Sequence, residues 1–184
     1  GFIKAQPTET DRPVGSLIII SSKDGTTLAK AEVPDGRETY MSPILYDFQG
    51  DGELSVLFGT GGETINGHFY KTSLQSVLEE DLSDAEVLAE GRGKGFIGPP
   101  VLADMNEDDI KDIIVNSVNG KVFCIDGSTN EILWEANLGE EFEGYTSPSP
   151  GHFNSDDTLD FFVSYGHGVW PAIDFAYQVM LDGS

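Results

Sequence analysis

The residues with the clearest chemical potential lie in one run, Asp104-x-Asn106-x-Asp108-Asp109-x-x-Asp112. Oxygen-bearing side chains stand at positions 1, 3, 5 and 9, and the backbone carbonyl of Ile110 falls at position 7. That spacing suits a hard cation such as Ca2+, which is wrapped by about six to eight oxygen ligands. Residues two apart in a tight loop turn toward one interior, so Met105 and Glu107 point away. Carboxylates this close repel one another without a cation, which predicts a loose metal-free loop. An EF-hand shares the opening ligands but needs a Glu at position 12 and flanking helices. Position 12 here is Val115, inside an apolar run, so the loop belongs between two strands. A metal-free alternative exists: a polar turn whose Asp and Asn side chains accept hydrogen bonds from backbone amides.

Two related loops flank this one. The first offers Asp47, Gln49, Asp51, Glu53 and Ser55, with Gly52 at the sharp turn. The third offers Asn154, Asp156, Thr158 and Asp160, but puts His152 at position 1. Imidazole is a poor calcium ligand. Both are weaker candidate sites, and for both the metal-free turn is an equal alternative.

The segments carrying these loops repeat. Residues 41–59, 97–116 and 146–164 align, with Asp47, Asp104 and His152 equivalent at a period of roughly fifty residues. In the middle unit, Pro100 to Ala103 reads as a strand and Ile113 to Val118 as a second. Asn119-Gly120 then suits a two-residue hairpin with positive φ at both positions. Lys121 to Ile125 and Ile132 to Ala136 complete four antiparallel strands, the unit of a β-propeller blade. Ile113-Ile114-Val115 and Phe161-Phe162-Val163 are continuous apolar runs, as expected of strands buried on both faces.

The chain therefore reads as all-β, about three to three and a half four-stranded blades of a larger propeller. Residues 16–40 would end a truncated blade, 41–96 and 97–145 would be blades, and 146–184 a truncated one. Leu74, Val77, Leu78 and Leu82 have near-helical spacing, marking an insertion at 74–90 between the third and fourth strands of its blade. Ser16 to Val33, with its Asp24-Gly25 turn, reads as the last two strands of a blade. Val179 to Ser184 repeats the pattern of Phe123 to Ser128. Both ends then cut a blade, and the rest of a parent chain would be the partner that closes the ring.

The acidic loop, with a Pro-bearing strand before it and an apolar strand after, resembles the FG-GAP repeat. That family builds the seven-bladed propeller of integrin α subunits and of many secreted bacterial proteins, and its loop binds Ca2+ between the first two strands of a blade. The resemblance spans most of residues 41 to 164 and is most specific in the middle unit. Cys124-x-Asp126-x-x-Thr129-Asn130-x-x-x-Trp134 is similar to the A-x-D-x-x-T-G-x-x-x-W motif of quinoprotein-like blades. It implies that Asp126 and Thr129 fasten a turn and that Trp134 is buried between blades. Asn130 stands where Gly is usual, and Asn tolerates the same left-handed backbone.

Composition narrows the function classes. The chain has 184 residues, 10 Lys and Arg against 32 Asp and Glu, and a formal charge of −22. Such acidity disfavours nucleic acid and anionic lipid as partners. The single cysteine, Cys124, permits no internal disulfide. No apolar run approaches the length of a membrane span.

No catalytic motif stands out, and His68, His152 and His167 are far apart in sequence. Gly59 to Glu63 reads as a hairpin loop. Gly91 to Gly95 reads as a connection between units, with a phosphate cradle as the alternative. Tyr165 to Pro171, aromatic and glycine-bearing, is a candidate surface for a glycan or peptide, with Trp170 equally able to serve the core. The favoured function is a non-enzymatic, calcium-stiffened module, extracellular, on the cell surface or periplasmic, whose loops on one propeller face bind a protein or polysaccharide. The alternative is a quinoprotein-like or polysaccharide-degrading enzyme with its active site on other blades.

Overall fold

The structure is a computed structural model and describes residues 12–169 and 172–183. Trp170, Pro171 and the final Ser184, invoked above, lie outside the described residues. Strands form where apolar runs meet turn residues. β1 (Ser16–Ile20) pairs with β2 (Thr27–Glu32). β3 (Ile44–Tyr46), β4 (Ser55–Gly59), β5 (His68–Ser73) and β6 (Glu86–Glu90) form a four-stranded sheet in that order. β7 (Val101–Ala103), β8 (Asp112–Asn116), β9 (Lys121–Ile125) and β10 (Ile132–Asn137) form the next. In the last sheet, β13 (Asp160–Val169) pairs with β14 (Ala172–Leu181) along most of its length. β11 (Phe142–Glu143) and β12 (Ser149–Gly151) pair with separate stretches of β13. Every pairing is antiparallel. The protein is all-β, built of repeated antiparallel sheets.

The sheets share cores pairwise. Leu17, Ala31 and Val33 pack with Val56, Phe58 and Tyr70 of the second sheet. Leu57, Phe69, Leu88 and Ala89 of that sheet pack with Ile113, Val115, Phe123 and Ile125 of the third. Ala103, Ile114, Val122 and Cys124 pack with Phe161, Val163 and Tyr165 of the fourth. Side chains alternate across a strand. β4 therefore sends Val56 and Phe58 one way and Leu57 the other, and β8 divides Ile113 and Val115 from Ile114 in the same manner. This is why neither strand alternates polar with apolar residues. Phe96, wholly buried, lies between Phe69 and Phe123, at 5.8 and 6.0 Å between ring centroids.

Several local expectations need correction. Phe162 is 38% exposed, because the outer face of the last described sheet has no neighbouring sheet among the described residues. Trp134 is half-buried rather than enclosed. β10 is an edge strand, and the indole packs against the rim of the core shared with the fourth sheet, where it meets the Phe161 ring. The β8–β9 connection is a four-residue loop in which only Gly120 has positive φ, at 77°. Asn119 instead accepts from the Ser117 hydroxyl and donates to the Arg92 carbonyl, which holds it out of the left-handed region. The insertion after β5 is shorter than 74–90. α1 (Leu74–Leu78) is capped by the Ser73 hydroxyl, which accepts from the Ser76 amide at 2.9 Å. Residues 86–90 are the fourth strand itself.

Phe96→Ala should destabilise the protein by about 3–5 kcal/mol, the usual range for a buried aromatic. Phe162→Ala, at an exposed position, should stay within about 1 kcal/mol. Urea unfolding curves of the two variants check this. Equal losses would contradict the assignment of buried and open sheet faces.

Candidate functional site

The three acidic loops occupy one structural position, the link from the first strand of a unit to the second. In the second loop, Asp104 accepts from the amides of Asp108 and Asp109 at 3.3 and 3.0 Å. In the first, Asp47 accepts from Asp51 and Gly52 at 3.3 and 2.8 Å. Asn106 accepts from the Asp108 amide at 3.1 Å, and Asn154 from the Asp156 amide at 2.9 Å. Asp108, Asp51 and Asp156 each accept from the amide two residues on, at 2.8, 2.9 and 3.0 Å. Each of these bonds thus recurs in at least two of the three aligned loops, and the last in all three.

Backbone torsions repeat as well. Gly50 and Gly52 have φ of 70° and 91°, and their counterparts Glu107 and Asp109 have φ of 62° and 67°. Left-handed backbone is unfavourable for residues with a Cβ. The second loop carries this strain at two positions where the first uses glycine.

The ninth position does different work. Asp112 is wholly buried and accepts from the Met105 amide at 2.7 Å and the Gly127 amide at 3.1 Å. Asp160, also wholly buried, accepts from Phe153 at 2.8 Å and Gly183 at 3.4 Å. Each carboxylate therefore ties its acidic loop to the turn after the third strand. Gly127 and Gly183 permit the approach: a Cβ on either would lie 1.9 or 2.0 Å from the carbonyl of Lys111 or Leu159. Burial raises the Asp112 carboxyl above its ordinary value, against the two amides and with help from the nearby negative Asp126. Ser55 replaces the acid in the first loop, and there α1 follows the third strand in place of the tied turn.

Asp126 fastens its own turn as expected, and it also reaches the acidic loop, which was not expected. It accepts from Asn106 at 3.2 Å and from the hydroxyl and amide of Ser128, both at 2.7 Å. The Ser128 hydroxyl is the main cause of its lowered pKa. Asn130 is left-handed at φ 65°. The match of Phe123–Ser128 to Val179–Ser184 was the signal that could have located Gly127 and Gly183. His152 takes no acidic role; its Nδ1 lies 3.0 Å from the Thr158 carbonyl. An open cleft between the second and third loops is lined by Asp104, Asn106, Glu107, His152, Asp157 and Thr158.

Gln49, Glu53 and Thr158 are brought to their loops by the backbone, but only the Thr158 carbonyl and the Glu53 and Thr158 amides enter the bonds above. Among the described residues, no three His, Cys, Asp or Glu side chains form a group that could hold a metal ion. Asp104 and Asp108 instead cap backbone amides. The donor chemistry nonetheless fits a hard cation, being all oxygen, and each carboxylate keeps lone pairs beyond those its amides use. The glycine-rich segments are backbone packing: Phe96 donates to Thr60 at 3.0 Å and Val118 to Gly95 at 2.9 Å. Comparison with protein-family models, with curated proteins and with solved structures finds no match.

Asp109→Gly should raise stability by about 1–2 kcal/mol by relieving the left-handed residue. Asp112→Ala should lower it by about 1–3 kcal/mol or more, since two buried amides lose their acceptor. Chemical denaturation checks both. A destabilised Asp109→Gly would contradict the loop geometry.

Proposed function

We propose that the chain is a segment of a β-propeller, stiffened by Ca2+ at the loop 104–112, that serves as a non-enzymatic binding module outside the cell. The observation that carries this is the all-oxygen loop built over the buried carboxylate of Asp112. A divalent cation beside that carboxylate would offset its cost of desolvation. Asp104, Asn106, Asp108, the Ile110 carbonyl and Asp112 would hold it, once Asp104 and Asp108 turn from backbone amides toward the loop interior. The bound ion would supply fixed positive charge that rigidifies the link between first and second strands. Asp47–Ser55 and Asn154–Asp160 are secondary positions, the latter weakened by His152.

The stacking of successive antiparallel sheets through shared cores supports a propeller, in which seven or eight such units would close a ring. Calcium sites in extracellular modules are commonly weak, which suits the millimolar calcium outside cells. In this setting the loops at one end of the sheets would contact a protein or polysaccharide.

Chelation should lower the melting temperature, and Asp108→Ala should abolish most of the difference between calcium and chelator. Binding to the folded state alone adds roughly 2.7 kcal/mol at a hundredfold excess over Kd. Identical melting curves with and without chelator would refute calcium binding.

A further inference from the structure

The last described sheet outruns the one beside it. β13 and β14 have 10 residues each, while β8 and β9 have 5 each. One face of the hairpin buries Phe161, Val163 and Tyr165 against the third sheet. The same face runs on through His167 and, across the pairing, through Phe175 and Tyr177. There the rings pack on one another. His167 stacks on Phe175 at 4.6 Å and 5°, and Tyr177 meets Phe175 edge-on at 5.0 Å. Phe142 of β11 lies edge-on to Tyr177 at 5.4 Å and to His167 at 5.5 Å. Phe175 stays 48% exposed and Tyr177 42%.

A carboxylate adjoins this aromatic face. Asp174, beside the pairing irregularity, brings Oδ2 within 3.8 Å of His167 Nδ1. No lysine or arginine follows Lys121, whereas 11 Asp and Glu do. Exposed π faces attract cations, and more so with carboxylates near. A negative field of this size speeds the approach of a basic partner and repels a polyanion.

We propose that this overhanging aromatic face docks a cationic polypeptide segment, its Lys or Arg side chains set on Phe175 and Tyr177 and flanked by Asp174. This gives a partner class to the interaction role above, and it does not require calcium. A neutral glycan would use the rings but gain nothing from the charge.

The test uses the full chain, a fluorescent (Gly-Arg)3-Gly peptide and cellohexaose, with affinities measured by anisotropy and calorimetry at 0.15 M salt, with calcium and with chelator. Saturable peptide binding is expected. Phe175→Leu keeps apolar area but removes the π face, and should weaken binding at least fivefold, as should Tyr177→Ala. Asp174→Asn should weaken it about threefold, while Asp24→Asn, an equal charge change on a distant turn, should not. Circular dichroism confirms that each variant is folded. Ring variants that bind like the parent, or equal losses from Asp24→Asn and Asp174→Asn, would reduce the effect to diffuse attraction and overturn the proposal. Cellohexaose binding that depends on Phe175, without peptide binding, would overturn it in favour of a glycan. Insensitivity of melting to chelator counts against the calcium reading alone, and ring-insensitive peptide binding counts against this proposal alone.

Discussion

A strand that is apolar on both faces has to be covered on both faces, and β4 and β8 are such strands. Val56, Leu57 and Phe58 are each buried, as are Ile113, Ile114 and Val115. At about 25 cal/mol for each Å2 of apolar surface removed from water, a sheet with such a centre is stable only between two others. Stacking is therefore a requirement of the sequence, and the connections have to deliver each sheet onto the one before. Glycine-lined backbone contacts do so at one end, where Val118 donates to Gly95 and Gly144 to Val118 at 3.0 Å. At that end Glu143 is wholly buried and is satisfied by Lys94 and the Tyr145 hydroxyl.

The opposite end is held by carboxylates rather than by close backbone packing. Asp112 and Asp160 are buried acids whose backbone-amide partners span two turns each. A buried acid without such partners would be very costly, so the ties and the acidic loops depend on each other. The loops above them are polar and exposed, which leaves them free to bind without disturbing the core. Rigid stacked sheets carrying variable polar loops are a common arrangement for recognition surfaces.

Much of this was legible in the residue pattern. Strand class, sheet size and the equivalence of the three loops follow from apolar runs, turn residues and the repeat. The single-residue environments were less legible. Trp134 and Phe162 read as core, yet their burial depends on what lies beside an edge strand or an outer face, which no local pattern encodes. Asn119-Gly120 carried a strong two-residue turn signal, and side-chain bonds from Ser117 to Asn119 and from Asn119 to Arg92 overrode it. The fourth strand at Glu86–Glu90 was hidden because Leu74, Val77, Leu78 and Leu82 before it keep near-helical spacing. At the candidate site, the positions of all the loop oxygens were visible. The amide bonds that occupy Asp104 and Asp108, and the tie from Asp112 to Gly127, needed coordinates. Glu143 gave no sign at all, since in sequence it is one acid of the run Glu140-Glu141-Phe142-Glu143, in an already acidic chain.

Native-state hydrogen exchange tests the dependence on stacking most directly. Amides of Ile114 and Val115 in β8, covered on both faces, should exchange only through global unfolding and be the slowest in the chain. Amides in β1, β2 and the outer half of the β13–β14 hairpin, covered on one face or none, should exchange through local opening at least a hundredfold faster. Equal protection across all of these strands would show that each sheet is stable without its neighbours, and would contradict the account.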